Sequence, residues 1–341
     1  MTGAPFGWGI VGAGNIASQF TRDLALSKLG GRVVAVGSRS RAKAEAFAER
    51  FGIGRAYASY EELVADGEVE AVYVALANPF HHRGALLALR GGKPALVEKP
   101  FTVNAAQAAE LVGLARSEGL FLMEGMWTRC LPHMRTLRGL LDGGVLGSVR
   151  LVVAEHGIWF PPDPGYRIYD PDLAGGALLD LGVYVLSLAS LVYGPPDSFE
   201  VVSVPAPSGV DAQTSLVLSY ASGATAVLST SIDAQLPNRA VIAGTEARVV
   251  LEGTWYRPTA LVVTRRDGSS ERIENEVEGG GLRFEAEEVA RCVRAGLTES
   301  PLVPLDESLA ILETMDEVRR RIGLRYPFED AGRAESGTWV R

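Results

Sequence analysis

The apolar run Phe6–Val11 passes directly into Gly12-Ala13-Gly14-Asn15-Ile16-Ala17, and this joining of a buried strand to a glycine-spaced turn constrains the fold more than any other feature. Glycine at 12 permits a tight turn, glycine at 14 lets a pyrophosphate approach the backbone, and Ala17 keeps the following helix close to the sheet. The first residues of that helix, Asn15 and Ile16, contribute amide donors at its positive end. From residue 6 to about 126 the pattern then repeats. Short apolar runs at Arg32–Val36, Ala71–Leu76, Ala95–Val97 and Leu120–Met123 alternate with helical patterns at Ile16–Ser27, Ala42–Phe51, His81–Arg90 and Ala105–Ser117. Alternation of that kind predicts βα units on a parallel, doubly wound sheet.

The second half changes period. Strand patterns at Leu151–His156, Phe199–Val204, Thr214–Tyr220, Thr225–Ile232, Ala247–Leu251 and Leu261–Arg265 follow one another directly or through turns such as Ser222-Gly223 and Asp267-Gly268. They predict a large, mostly antiparallel sheet, with helices at Gly176–Leu191, Phe284–Ala295 and Asp306–Arg321 over one face. The fold class is therefore α/β, with a dinucleotide-binding Rossmann domain over 1–126, a substrate-binding and dimerisation domain over 127–328, and a loosely held tail over 329–341. No internal repeat or low-complexity tract interrupts this reading.

Composition narrows the class of partner. Forty-one acidic against 33 basic residues give a net charge of −8, and no basic run stands out, so a nucleic-acid backbone is not an expected partner. Two cysteines, Cys130 and Cys292, with no Cys-x-x-Cys and no histidine pair at metal spacing suggest neither a disulfide framework nor a metal site. That usage, with no signal-like or membrane-spanning segment near the N-terminus, points to a soluble cytoplasmic protein whose ligand is a small molecule.

Five positions or clusters carry chemistry. The second strand ends Val36-Gly37-Ser38-Arg39-Ser40, with no acid to take a ribose 2′-hydroxyl; Arg39, helped by Ser38 and Lys43, suits a 2′-phosphate, which favours NADP. Glu98-Lys99-Pro100 closes a strand at the carboxyl edge of the sheet, where open α/β folds bind ligands. Only four of the 33 basic residues are lysines, so Lys99 reads as a chosen ammonium, although a surface lysine at a strand end fits the position equally. Asp180 and Tyr184 are four residues apart on an apolar helical stretch, a spacing that serves either general acid/base chemistry or core packing. His81 and His82 open a helix near the same sheet edge, where surface histidines of a first turn are the plainer reading beside a contact with cofactor or substrate, and Arg167 and Tyr169 lie in a Pro-rich loop that fits a substrate lid and a solvated loop equally.

These motifs, together with Met123-Glu124-Gly125-Met126-Trp127-Thr128-Arg129, Gly175 to Tyr184 and Glu299 to Leu305, resemble the glucose–fructose oxidoreductase / inositol dehydrogenase superfamily. Within it they are most similar to the dimeric dihydrodiol dehydrogenase / NADP-dependent D-xylose 1-dehydrogenase branch, over roughly residues 6 to 328. Tyr184 stands where many superfamily members carry histidine. The resemblance implies Lys99 beside the nicotinamide, Tyr184 as the proton-transferring residue, Asp180 near the substrate hydroxyls, Trp127 in the pocket, and a homodimer through the C-terminal sheet. It adds Asn78, His81 and Glu98 to the cofactor-binding set; close relatives can carry histidine at position 78. The activity implied is hydride transfer between NADP and a carbinol carbon of an aldose or vicinal trans-dihydrodiol. Keto-sugar or 1,5-anhydrofructose reduction, or a non-catalytic NADP-sensing regulator on the same fold, are the alternatives.

Overall fold

The computed structural model describes residues 5–27, 29, 31–163 and 165–329, and every structural statement below concerns these residues. Six strands, β1 (Phe6–Val11), β2 (Gly31–Gly37), β3 (Arg55–Tyr57), β4 (Ala71–Val74), β5 (Ala95–Glu98) and β6 (Leu122–Gly125), form one parallel sheet in the order β3-β2-β1-β4-β5-β6. The order reverses direction at β1, between β2 and β4, so the turn at Gly12 opens at the topological switch point of a Rossmann sheet. All six residues of β1 and all four of β4 are buried, which is why these strands read as continuous apolar runs rather than as alternating ones. Helix Ala105–Glu118 is capped at its N-terminus: Asn104 Oδ1 accepts the Gln107 amide at 3.0 Å.

The second sheet has eight strands: β7 (Val149–Gly157), β8 (Ser198–Pro205), β9 (Asp211–Ser219), β10 (Thr225–Ser231), β11 (Ala240–Gly244), β12 (Ala247–Leu251), β13 (Leu261–Arg265) and β14 (Ser270–Ile273). Their order is β14-β13-β12-β11-β7-β10-β9-β8, antiparallel throughout except for the central β7/β10 pair, which is parallel. The apolar helix Val183–Tyr193 packs on β7 and β10. Residues 171–193 are long and apolar enough to match a membrane span, but 83% of the most apolar window is buried, so the stretch reads as a core helix. The opposite face of the sheet carries a row of valines in register, Val217, Val227, Val153, Val241, Val250 and Val262, on β9, β10, β7, β11, β12 and β13. Val153, Val217 and Val227 are each about two-fifths exposed, whereas Ile232 is fully buried.

The chain divides into two compact units, but not as two consecutive stretches. One unit runs from β1 through Cys130 and takes in Glu278–Leu309; the other comprises Leu131–Val277 and the residues from Ala310. The expectation that a helix at Phe284–Ala295 covers the second sheet is therefore corrected: helix Arg283–Arg294 belongs to the Rossmann unit. Asp23 of helix Asn15–Leu24 explains this placement, because its carboxylate accepts the Gly280 and Leu282 amides at 2.8 and 2.6 Å. Ser27 adds a hydrogen bond to Glu287 at 2.8 Å, and Ala286, Val289 and Ala290 bury the helix's apolar stripe.

The expected loosely held tail falls mostly on residues 330–341, outside the described residues. Its first part is anchored. Arg319 makes a two-nitrogen contact with Glu329 at 2.9–3.0 Å, and Glu329 also accepts the Tyr326 amide.

Candidate active site

In the Rossmann unit the glycine-spaced turn has the geometry its spacing implies. Gly12 sits at φ +106°, and a Cβ there would lie 2.5 Å from the carbonyl oxygen of Ala75, so neither the backbone conformation nor the space admits a side chain. Gly14 is different: it is exposed and extended (φ −90°, ψ −169°), and a Cβ on it would meet nothing within 4 Å. That open space lies against the first turn of helix Asn15–Leu24, where Asn15 is exposed and Ile16 half-buried. A phosphate fits such a cradle, because amides with no helical partner point into room that a side chain would otherwise fill.

At the end of β2, Ser38 is buried and its hydroxyl accepts the Ser40 amide at 3.3 Å; Ser40 in turn caps the next helix by accepting the Lys43 amide at 3.4 Å. Arg39 and Lys43 are both exposed, and the Arg39 guanidinium lies 6.0 Å from the Phe80 ring centroid. The Arg39 charge also opposes the rise in the Tyr60 hydroxyl that burial imposes.

Lys99 is half-buried at the end of β5, joined to Pro100 by a cis peptide, and the backbone around it is held at three successive residues. Its own amide donates to Glu98 Oε2 at 3.1 Å, the Pro100 carbonyl is 2.8 Å from His81 Nδ1, and the Phe101 amide donates to Glu124 Oε1 at 3.1 Å. Glu98 also accepts the Tyr73 hydroxyl, and Glu124 accepts the Ser308 hydroxyl at 2.7 Å. His81 is buried, with its other ring nitrogen 3.0 Å from the Leu76 carbonyl, and Asn78 is buried in the turn that precedes it. Glu98 and His81, both expected on the cofactor, also hydrogen-bond the backbone of the Lys99 turn. Burial pushes the Glu124 carboxyl up to about 7. Glu285 stands beside Gly125 with neither oxygen bonded, and burial plus the Glu98 and Asp23 charges push its carboxyl well above the carboxylate range. Trp127 is half-buried in a short turn just after β6.

In the other unit, Asp180 and Tyr184 share one helical stretch, as their spacing predicts, but the helix begins differently. Leu178–Gly182 winds as a π turn before the α-helix proper starts at Val183, a departure that often accompanies function. Its first amide, Leu178 N–H, donates to Asp211 Oδ2 at 2.8 Å, and the Thr214 hydroxyl joins the same oxygen at 2.7 Å. Gly176 has to be glycine here, since at φ +112° its Cβ would fall 2.3 Å from Asp211 Oδ1. The Tyr326 hydroxyl closes the turn by donating to the Gly175 carbonyl at 2.8 Å.

Arg167 reaches out of its loop to place one nitrogen 3.0 and 3.1 Å from the two oxygens of Asp180. Asp180 and Tyr184 are each 6% exposed, and Tyr184 lies among His156 and Tyr256, which the sequence did not single out. A period-two reading of β7 holds the missed signal, since His156 continues the buried positions Val152 and Ala154.

A dinucleotide cradle on a Rossmann sheet, a braced lysine at its carboxyl edge and a buried Asp/Tyr pair on a second α/β unit define a nucleotide-dependent oxidoreductase of two-unit architecture. The comparisons carry this further. Residues 6–126 match the oxidoreductase family with the NAD-binding Rossmann fold, and residues 134–250 match the GFO/IDH/MocA C-terminal domain. The chain is 41% identical over 333 residues to trans-1,2-dihydrobenzene-1,2-diol dehydrogenase of Mus musculus, covering 94% of this chain and 98% of that one, and 39% identical over 331 residues to the Homo sapiens enzyme at the same coverage. Among solved structures it is similar to the 3-ketoreductase KijD10 from Actinomadura kijaniata in complex with TDP-benzene and NADP, with a TM-score of 0.77, 29% identity and coverage of 92% and 97%. It is also similar to aldose-aldose oxidoreductase from Caulobacter crescentus, with a TM-score of 0.83, 27% identity and coverage of 94% and 98%. This chain belongs to the GFO/IDH/MocA oxidoreductase family.

Proposed function

We propose that the protein is an NADP-dependent dehydrogenase that exchanges hydride with a carbinol carbon of an aldose or a vicinal trans-dihydrodiol. The observation that carries the proposal is the Lys99 turn: a half-buried ammonium presented at the carboxyl edge of a dinucleotide-binding sheet by backbone groups braced at three successive residues. Such bracing is what keeping a charged group in one productive geometry requires. When bound, NADP supplies the hydride acceptor. Gly14 and the helix after it hold the pyrophosphate, and Arg39 with Lys43 meets the 2′-phosphate. Tyr184 takes the proton from the substrate hydroxyl as oxidation proceeds, Lys99 favours the phenolate that does so, and Asp180 binds a neighbouring hydroxyl. Arg167 fixes the Asp180 carboxylate for that contact.

The diol dehydrogenases that match over nearly the whole chain favour the oxidative reading, while likeness to a 3-ketoreductase and to an aldose-aldose oxidoreductase supports a second one, reduction of a keto-sugar on the same groups. A homodimer through the valine-lined face of the second sheet completes the proposal, since that row offers a contiguous apolar surface to a second copy. The test is a panel of aldoses, keto-sugars and trans-diols, each with NADP or NADPH and with NAD or NADH, on wild type and R39A. Turnover of a diol or aldose with NADP, and weaker NADP binding by about tenfold to a hundredfold in R39A, is the expected result. Equal affinity of R39A and wild type for NADP refutes the 2′-phosphate assignment.

A further inference from the structure

His156 stands on the buried face of β7, opposite Thr230 of β10, and is 2% exposed. Its neighbours are tyrosines. Its ring is edge-on to that of Tyr184, with centroids 4.9 Å apart and planes at 81°, and it lies against Tyr256 at 3.8 Å and 32°; Tyr184 and Tyr256 are 5.5 Å apart. The backbone beside Tyr256 is tied down: Trp255 Nε1 donates to the Glu155 carbonyl at 2.9 Å, and the Trp255 carbonyl is 3.0 Å from His133 Nε2. Packing alone does not call for an imidazole at this point. A phenylalanine would fill the same space and keep both ring contacts.

Building on the reading of Tyr184 as the acid/base, we infer that His156 is its positioning residue: the imidazole, clamped by Tyr256, holds the Tyr184 ring in one orientation and stabilises its phenolate. This role adds to the one proposed for Lys99, and the other charged or titratable groups near Tyr184 in the second unit are placed otherwise. Asp180 precedes Tyr184 on the helix and is paired with Arg167, while Glu155 is on the other face of β7. His133 is turned to the Trp255 carbonyl, and burial holds its ring down to about 4, so it stays neutral near pH 7. Tyr256 lies against the imidazole, and its ring face suits an imidazolium. A positive charge on His156 favours the phenolate beside it by proximity.

The variants H156F and H156N remove the titrating ring, and H156F also keeps its volume. In oxidation of trans-1,2-dihydrobenzene-1,2-diol by NADP, the acidic limb of kcat moves up by about one pH unit in both variants, while KM changes by less than about twofold. The phenolate absorbance that is present in wild type and lost in Y184F titrates higher by the same amount, and this readout needs no turnover. Profiles that superimpose, or a loss of the same size at every pH, assign His156 to packing and overturn the inference. Should H156F not fold, H156N decides by the same two readouts. Y184F keeps the claims apart: full turnover in Y184F refutes the acid/base reading itself, whereas an inactive Y184F beside unshifted His156 variants overturns only the present inference.

Discussion

Replacing Gly12 and Gly14 separately by alanine separates what the cofactor turn does for folding from what it does for binding. At Gly12 an L-residue at φ +106° costs about 1–3 kcal/mol. Its Cβ would also press on the Ala75 carbonyl from 2.5 Å, and that strand cannot yield freely, since the Ala75 amide is bonded to the Val11 carbonyl at 2.9 Å and the Gly12 amide to the Gly37 carbonyl at 3.0 Å. Losing one of these ladder bonds adds about 1 kcal/mol. Stiffening the unfolded chain returns about 0.4–1 kcal/mol, which leaves G12A less stable by about 1–3.5 kcal/mol. At Gly14 the same substitution meets no atom within 4 Å, and φ −90° is open to any residue, so stability holds or rises slightly. The added methyl does, however, occupy the room in which a pyrophosphate meets the helix amides, and NADP affinity falls by about tenfold or more. Urea unfolding and fluorescence titration with NADPH measure the two effects. Wild-type NADPH affinity in G14A, or an unshifted urea midpoint in G12A, refutes this account of the turn.

Two further predictions follow from the second unit. His133 is held neutral down to about 4 against 6.5 in the unfolded chain, so the unfolded state binds more protons between those values. Stability is therefore full above pH 6.5 and falls by about 3 kcal/mol as the pH drops to 4; in H133Q that part of the dependence disappears from pH-dependent urea melts. V227K puts a charge into the middle of the valine row, and light scattering is expected to show a dimer become a monomer with its fold retained by circular dichroism. A wild-type monomer at micromolar concentration contradicts the dimer proposal directly.

Much of the Rossmann unit was legible because its strands are buried on both faces and its turns carry their own chemistry: β1 and helix His81–Arg90 lie where the pattern puts them. What escaped was short or dependent on distant partners. β3 is three half-buried residues, too few for a period, and β14 is nearly all exposed, so neither shows an apolar pattern. Helix Arg283–Arg294 has an unmistakable stripe, but which sheet that stripe covers depends on Asp23, about 260 residues earlier in the chain. Residue type and spacing singled out Lys99, Asp180 and Tyr184 but left a surface lysine and core packing open, and their proposed roles came from the family resemblance. Residue type and spacing did not mark their supports: Glu124, Asp211 and Tyr326 act by hydrogen-bonding a backbone amide or carbonyl far away in sequence, and no local spacing marks such a contact.

The central claim is that Tyr184 moves the proton, and Y184F tests it most directly because it removes one hydroxyl and leaves the ring among His156 and Tyr256. Steady-state oxidation of trans-1,2-dihydrobenzene-1,2-diol by NADP, measured beside NADPH binding, is the decisive experiment. The account predicts a fall in kcat of about a hundredfold to ten-thousandfold with NADPH affinity unchanged. Near-normal kcat in Y184F, with the cofactor bound as in wild type, contradicts it and returns Tyr184 to the core as a packing residue.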